Sequence, residues 1–135
     1  MACGLGAGMA RKEEVCGAVT GGILVLGLRF GRGGKDDRSA TELTYGKTTE
    51  LMDLFSQEHG TFVCRKLLNG CELTSAEGQK FFKENELLNK VCMRCVQSVV
   101  RILEGILQRT SKAARQTAAA SSSLDFIVDS KSKNS

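Results

Sequence analysis

The sequence predicts an all-α protein, a small helical bundle of about four or five helices followed by a disordered C-terminal tail. Its 135 residues include no proline, no tryptophan, six Phe and one Tyr, whereas sandwiches and barrels are usually rich in aromatic strands. Apolar residues recur every three to four positions in the second half of the chain, which is the period of an amphipathic helix. Two Ser/Thr-x-x-Glu patterns are typical helix starts.

The first helix is predicted from Glu14 to Phe30. Its acidic start suits the positive end of a helix dipole, and its apolar residues cover more than one face, which indicates a central position. Small residues lie close together near its start and would let another backbone or a bound group approach the sulfur of Cys16. This strip consists of Cys16, Gly17, Thr20 and Gly21.

Capping residues and glycines predict the remaining helices. Thr61 is the predicted N-cap of a short helix that carries Cys64. The last helix has the most regular apolar pattern, over about five turns. The predicted ranges are 39–58, 62–69, 74–85 and 88–108.

Composition divides the chain into two parts. The pattern ends after Gln108 and gives way to Ser, Ala and Lys, which predicts a helical domain over residues 1–109 and a disordered tail over residues 110–135. Residues 109–135 carry +3 of the net charge of +4. The domain therefore has no basic stripe with interleaved aromatics, and nucleic-acid binding is not expected.

Neither a membrane span nor an export signal is predicted. The longest apolar stretch, residues 18–28, is interrupted by glycine and falls short of the roughly 20 residues that a span requires. The N-terminus lacks the pattern of a signal peptide. We therefore expect a cytoplasmic protein, in a compartment that keeps thiols reduced.

Cysteines are the main reactive groups of this chain. A thiol becomes nucleophilic when nearby positive charge or free helix N-terminal amides lower its pKa. Cys64 meets both conditions on the predicted helix, because it follows Thr61 and precedes Arg65. Cys16 lies beside two glutamates, and its spacing alone is equally explained by packing in the core. The six cysteines are Cys3, Cys16, Cys64, Cys71, Cys92 and Cys95.

Cys92 and Cys95 form a C-x-x-C motif inside the last predicted helix. That position lacks the free amides that activate such a motif at a helix start, although both sulfurs share one helical face. Thiolates could instead bind zinc or an iron–sulfur cluster. A further alternative is a helical interaction module whose cysteines only pack. The candidate metal ligands are Cys16, Cys64, Cys71, Cys92 and Cys95.

Several blocks of the sequence resemble the C_GCAxxG_C_C family of redox-active proteins. The letters CGAVTG at residues 16–21 resemble the family's C-G-A-x-x-G hallmark, and LGLRFG at 26–31 resembles its L-G-L-x-[YF]-G segment. The letters GTFVCRKLL at 60–68 resemble its G-[ST]-x-x-C-x-x-L-L block. Together with GLGAGM at 4–9 and the last helix, the resemblance covers residues 2–107.

The resemblance implies an all-helical, redox-active domain whose family cysteines are Cys16, Cys64 and Cys92. The expected function is thiol–disulfide or electron-transfer chemistry, with Cys64 as the nucleophile and Cys16 or Cys92 as its resolving partner. Such exchange, in a thiol–disulfide oxidoreductase, needs a redox partner protein or a small thiol but no cofactor. The expected supporting residues are Gly17, Gly21, Thr61 and Arg65.

This chain departs from the family pattern at its N-terminus. Family members usually begin with a helix that carries the first of four cysteines. We therefore expect either a truncated N-terminus or a substitution of that thiol by Cys3 or Cys95. Loss of a helix would expose an apolar face, so a homodimer is a further expectation.

Overall fold

The computed structural model describes residues 2–34 and 38–131, with side chains up to residue 121. Its regular elements are helices, which confirms the predicted all-α fold; the described residues add only an isolated antiparallel bridge between Val15 and Val63. Residues 1–103 and 104–135 form two compact units. The helices are α1 (Gly6–Met9), α2 (Gly17–Phe30), α3 (Arg38–His59), α4 (Cys64–Leu67), α5 (Ala76–Glu84) and α6 (Met93–Lys131), with a 3₁₀ turn at Cys3–Leu5 and a π turn at Leu88–Cys92.

Helices α2 and α3 pack against each other in the first unit. Val19 and Leu26 lie two turns apart on α2, Leu51 and Phe55 lie one turn apart on α3, and none of the four is exposed. This spacing places the apolar residues of each helix on one face. Burial of these faces against each other contributes hydrophobic stabilisation to the bundle.

The first turns of α6 are joined to the end of α3 by polar contacts. The guanidinium of Arg101 donates two hydrogen bonds of 3.0 Å to the carboxylate of Glu58. Nε2 of His59 lies 2.9 Å from the hydroxyl of Ser98, and its ring stacks on Phe55 with centroids 4.4 Å apart. These contacts anchor the part of α6 that carries Cys95.

A glycine on α2 permits the close approach of α3 and α6. A Cβ atom at Gly22 would lie 2.9 Å from both Leu51 Cδ2 and Val99 Cγ1. At Gly21, where the sequence predicts close approach, a Cβ would meet no atom within 4 Å. The close approach of other helices therefore occurs at Gly22, and the role predicted for Gly21 stays a prediction.

We expect Gly22→Ala and Gly21→Ala to have opposite effects on stability. Overpacking at Gly22 should cost about 1–3 kcal/mol, partly offset by the better helix propensity of alanine, so the free energy of unfolding should fall. A methyl group at Gly21 would lie in open space, so Gly21→Ala should raise the free energy of unfolding by about 0.5–1 kcal/mol. Urea denaturation of both variants measures the difference. Equal effects of the two substitutions would contradict the packing described for α2.

The start of α2 differs from its prediction. The helix begins at Gly17 and not at Glu14, so that Cys16 becomes its N-cap residue. The backbone just before Cys16 is hydrogen-bonded to another segment of the chain. The carbonyl oxygen of Glu14 accepts the N–H of Cys64 at 2.6 Å. The N–H of Cys16 in turn donates to the carbonyl oxygen of Phe62 at 2.9 Å.

The other helix limits agree with prediction to different degrees. Helix α3 is confirmed over its whole predicted range and extends one residue beyond it at each end. Helix α4 is only one turn, with Val63 as N-cap, so the predicted cap at Thr61 is wrong; the Thr61 hydroxyl instead accepts the N–H of Val63 at 3.1 Å. The cap of α5 is Ser75, whose hydroxyl accepts the N–H of Gly78 at 3.0 Å.

Glu13 is a buried carboxylate at the centre of the N-terminal segment. Its side chain has no exposed surface, and Oε1 accepts the N–H of Leu73 at 2.5 Å. Oε2 lies 2.9 Å from Nε of Arg65, in an ion pair without hydrogen-bond alignment. The chain reaches this position through a left-handed turn at Gly8 (φ +66°), where a Cβ would lie 2.6 Å from Cα of Glu13. Glu13 thus joins three separate segments of the chain.

Helix α6 continues to Lys131. The backbone of residues 110–131 is thus helical where the composition predicts a disordered tail, and the alanines at positions 113–120 favour a helix by their propensity. The predicted boundary after residue 109 stays a prediction, and residues 132–135 lie outside the described part. None of the described helices combines the length and apolar composition needed to cross a bilayer.

Some large apolar side chains of α2 are exposed. Leu28 is 91% exposed, and Leu24 and Val25 are 48% and 41% exposed. A surface of this kind is a common feature of protein interfaces. The homodimer stays a prediction.

Candidate active site

A pocket of about 380 Å³ lies between the start of α2, helix α4 and the π turn before α6. The three predicted catalytic cysteines line it: Cys16, Cys64 and Cys92. Residues 60–68 reach Cys16 through the backbone bonds and the Val15–Val63 bridge described above. The fold therefore gathers cysteines that are far apart in the sequence around one cavity.

Cys16 has the environment of a stabilised thiolate. The side chain of Cys95 and the backbone N–H groups of Ala18 and Val19 favour negative charge on its sulfur. These donors outweigh burial and lower the pKa of Cys16 from 9.0 to about 6. Because free amides and the helix dipole stabilise negative charge at a helix N-terminus, the N-cap position explains part of this shift.

Cys95 lies behind Cys16 and away from solvent. It is 1% exposed and is absent from the pocket lining. The neighbouring Cys16 side chain, together with burial, raises the pKa of the Cys95 thiol. The two sulfurs thus titrate as a pair, in which the first proton leaves Cys16 and the second stays on Cys95.

The structure does not provide the stabilisation expected for a thiolate at Cys64. The N–H groups of Cys64 and Arg65 are taken by the carbonyl oxygens of Glu14 and Glu13, and the Arg65 guanidinium pairs with the Glu13 carboxylate. Burial, the neighbouring Cys16 and other acidic groups raise the pKa of Cys64 to about 12. The structure therefore does not support the physical argument that favours Cys64, and its role as nucleophile stays a prediction.

The other three thiols have different surroundings. Burial and then Cys16 raise the pKa of Cys92, which belongs to the π turn, a rare element often found at functional sites. Cys71 donates a hydrogen bond to the carbonyl oxygen of Gly78 at 3.3 Å and belongs to a small apolar cluster. Cys3 is exposed on the 3₁₀ turn. All six cysteines lie in the described part of the chain, and none of them is in a disulfide.

The predicted supporting residues are not all at the pocket. Gly17 lines it, and a Cβ there would lie 2.9 Å from the carbonyl oxygen of Leu5, so the predicted close approach does occur at this glycine. Gly21, Thr61 and Arg65 are absent from its lining. Thr61 and Arg65 act on the backbone and on Glu13 instead.

A metal site gains no support from the arrangement of these side chains. Among the described residues, no group of three or more Cys, His, Asp or Glu side chains is placed to hold a metal ion. Cys71, one of the predicted ligands, uses its thiol in a hydrogen bond to backbone.

Comparison with protein families identifies the chain. The sequence profile of a family described as "Putative redox-active protein (C_GCAxxG_C_C)" matches residues 1–106. The chain belongs to the C_GCAxxG_C_C family. Redox activity of cysteine is therefore the general function that its membership supports. No curated protein and no solved structure matches the chain.

One cysteine of this C_GCAxxG_C_C protein has a position that sequence reasoning undervalued. The resemblance places Cys95 outside the family set, yet it is the thiol that contacts Cys16. The available signal is its spacing of three residues from Cys92, which places both on one face of the last helix. That spacing does not reveal which other helix this face meets.

Proposed function

We propose that this protein carries out thiol–disulfide exchange with Cys16 as the attacking thiolate and Cys95 as the resolving thiol. The observation that carries the proposal is the position of Cys16, which is the N-cap residue of α2 and lines the pocket. The side chain of Cys95 then lowers the pKa of Cys16 to about 6. This assignment replaces Cys64 by Cys16 as the nucleophile. Cys64 and Cys92 then serve as protonated thiols in the pocket wall.

The exchange proceeds in two displacements. The Cys16 thiolate attacks one sulfur of a disulfide in the pocket, forms a mixed disulfide and releases the other sulfur as a thiolate. The released thiolate takes the proton of Cys95, whose sulfur then attacks Cys16. The products are a Cys16–Cys95 disulfide and the reduced substrate, so that two electrons pass from the protein to the substrate.

The oxidant is the disulfide of a partner protein or of a small thiol, and the reaction uses only sulfur chemistry. A reducing cytoplasm, the location that the sequence predicts, would return the pair to its dithiol state. Because Cys95 touches Cys16 without lining the pocket, substrate and resolving thiol approach the same sulfur from different directions. This arrangement suits a displacement in which one sulfur enters as the other leaves.

Substitution of Cys95 tests the proposal. Cys95→Ala removes the donor to Cys16, so the pKa of Cys16 should rise by about one unit or more, whereas Cys95→Ser keeps a hydroxyl donor and should change it less. The pH dependence of Cys16 alkylation, followed by mass spectrometry, measures both values. With one equivalent of disulfide oxidant, the wild-type protein should form the Cys16–Cys95 bond, and both variants should stop at the mixed disulfide.

Other outcomes of this experiment would contradict the proposal. An unchanged alkylation profile in Cys95→Ala would show that the contact does not activate Cys16. A disulfide that joins Cys64 to Cys92 would assign the chemistry to the other pocket thiols. Mass matching zinc or an iron–sulfur cluster in the native spectrum of anaerobically purified protein would favour metal binding instead.

A further inference from the structure

The pocket beside Cys16 has a wall without charge. None of its lining side chains is a Lys, Arg, Asp, Glu or His; they are apolar groups, small residues and the three thiols. Phe82, Leu68 and Leu73 form part of the apolar wall. Its volume of about 380 Å³ falls within the range of small-molecule sites, which is about 300–1,000 Å³.

A wall of this kind favours an uncharged disulfide over a charged one. Each half of oxidised glutathione carries two carboxylates and an ammonium group, and burial of unpaired charge is strongly unfavourable. The carboxylate of Glu13, which is absent from the lining, is already paired with Arg65 and bonded to Leu73. An uncharged disulfide on an alkyl chain would instead gain from leaving water.

Small residues form part of the pocket wall. Gly6, Ala7, Gly17 and Ala18 line it, and Gly17 and Ala18 follow Cys16 directly in the sequence. Gly17 has no room for a side chain because of the carbonyl oxygen of Leu5. A compact cyclic disulfide can therefore approach the sulfur, while its alkyl chain lies against Leu68, Phe82 and Val96. Val96 is 44% exposed, which places it at the edge of the pocket.

We propose that the substrate of this pocket is a small, uncharged, apolar disulfide of the dithiolane class, such as a lipoamide-type ring on an alkyl chain, and not glutathione. The inference rests on the proposed function, and the dithiolane is the disulfide that oxidises Cys16 and Cys95 in it. Attack by Cys16 opens the ring, the released sulfur takes the proton of Cys95, and closure of the Cys16–Cys95 bond frees the dithiol. The ring disulfide is reduced by the two electrons that the cysteines lose.

Two disulfides test this substrate class. The reduced full-length protein is mixed with one equivalent of lipoamide or of oxidised glutathione, and formation of the Cys16–Cys95 bond is followed by acid quench and mass spectrometry. Each rate is divided by the rate of the same disulfide with a free thiol in solution, which removes the difference in intrinsic reactivity. We expect the normalised rate to be about tenfold or more higher for lipoamide. A factor of this size is typical of the loss caused by a poorly matched group in an apolar pocket.

A matched pair of variants on α6 locates the effect. Val96→Gln places a polar group at the pocket and should lower the lipoamide rate about tenfold. Val100→Gln changes a side chain of similar exposure, 50%, that is absent from the lining, and should leave the rate unchanged. Alkylation of Cys16 by iodoacetamide should be similar in both variants, which shows that the thiolate is intact.

The outcomes separate the two proposals. Equal normalised rates for the two disulfides, a preference for glutathione, or equal effects of the Val96 and Val100 substitutions would overturn the inference and leave thiol–disulfide exchange standing. Failure of every disulfide to oxidise a protein whose Cys16 still alkylates rapidly would overturn the exchange function itself, and the substrate class with it.

Discussion

Replacement of Cys16 by serine is expected to remove the fast thiol of the pocket and to slow pocket alkylation at pH 7 by about two orders of magnitude. With a pKa of about 6 for Cys16 and about 12 for Cys64, about nine-tenths of Cys16 is thiolate at pH 7 but only about one part in 10⁵ of Cys64. A more basic thiolate is the better nucleophile. With a Brønsted slope of about 0.4–0.5, the thiolate of Cys64 reacts about two and a half orders of magnitude faster than that of Cys16, which offsets part of its lower abundance. Cys16 therefore remains the faster thiol.

The measurement should use a Cys3→Ser background, because the exposed Cys3 would otherwise contribute its own alkylation. In that background the rate should increase with pH through about 6, as Cys16 loses its proton, and then level off. Cys64→Ser is the matched variant and should leave the fast phase in place. Loss of the fast phase in Cys64→Ser, with its retention in Cys16→Ser, would return the nucleophile to Cys64.

Glu13→Ala is expected to lower the free energy of unfolding by about 2–4 kcal/mol, mainly because it leaves the buried N–H of Leu73 without an acceptor. Arg65 contributes less to this loss, because its side chain is 55% exposed and water can solvate its charge once the partner is gone. The left-handed backbone conformation of Glu13, with φ of +62°, is unfavourable by about 1–2 kcal/mol relative to a right-handed one. The contacts of its side chain stabilise this conformation.

Chemical denaturation with urea measures this change, and two further variants make it specific. Glu14→Ala removes a neighbouring exposed side chain, leaves the backbone bond to Cys64 intact and should change stability by less than about 0.5 kcal/mol. Glu13→Gln keeps an oxygen for Leu73 and should lose less than Glu13→Ala. Similar losses in Glu13→Ala and Glu14→Ala would contradict the role assigned to Glu13.

Local pattern predicted much of the helical fold. The range of α3 and the apolar face of the last helix follow from side-chain spacing, which is a property of nearby residues. Helix starts were less predictable where distant segments compete for the same groups. Cys16 becomes an N-cap because the backbone just before it bonds to residues 62–65, and no local signal at Glu13 and Glu14 indicates that pairing.

The sequence by itself determined that this is an all-helical C_GCAxxG_C_C protein whose chemistry depends on cysteine, because composition, helical periodicity and family motifs are all read along the chain. The tertiary structure alone decided which cysteine is activated. A thiol pKa depends on the donors, charges and burial within a few ångströms, and those of Cys16 include Cys95, a residue 79 positions later in the sequence. The same long-range packing pairs the Arg65 guanidinium with the Glu13 carboxylate. Cys64 therefore stays a protonated thiol in the pocket wall.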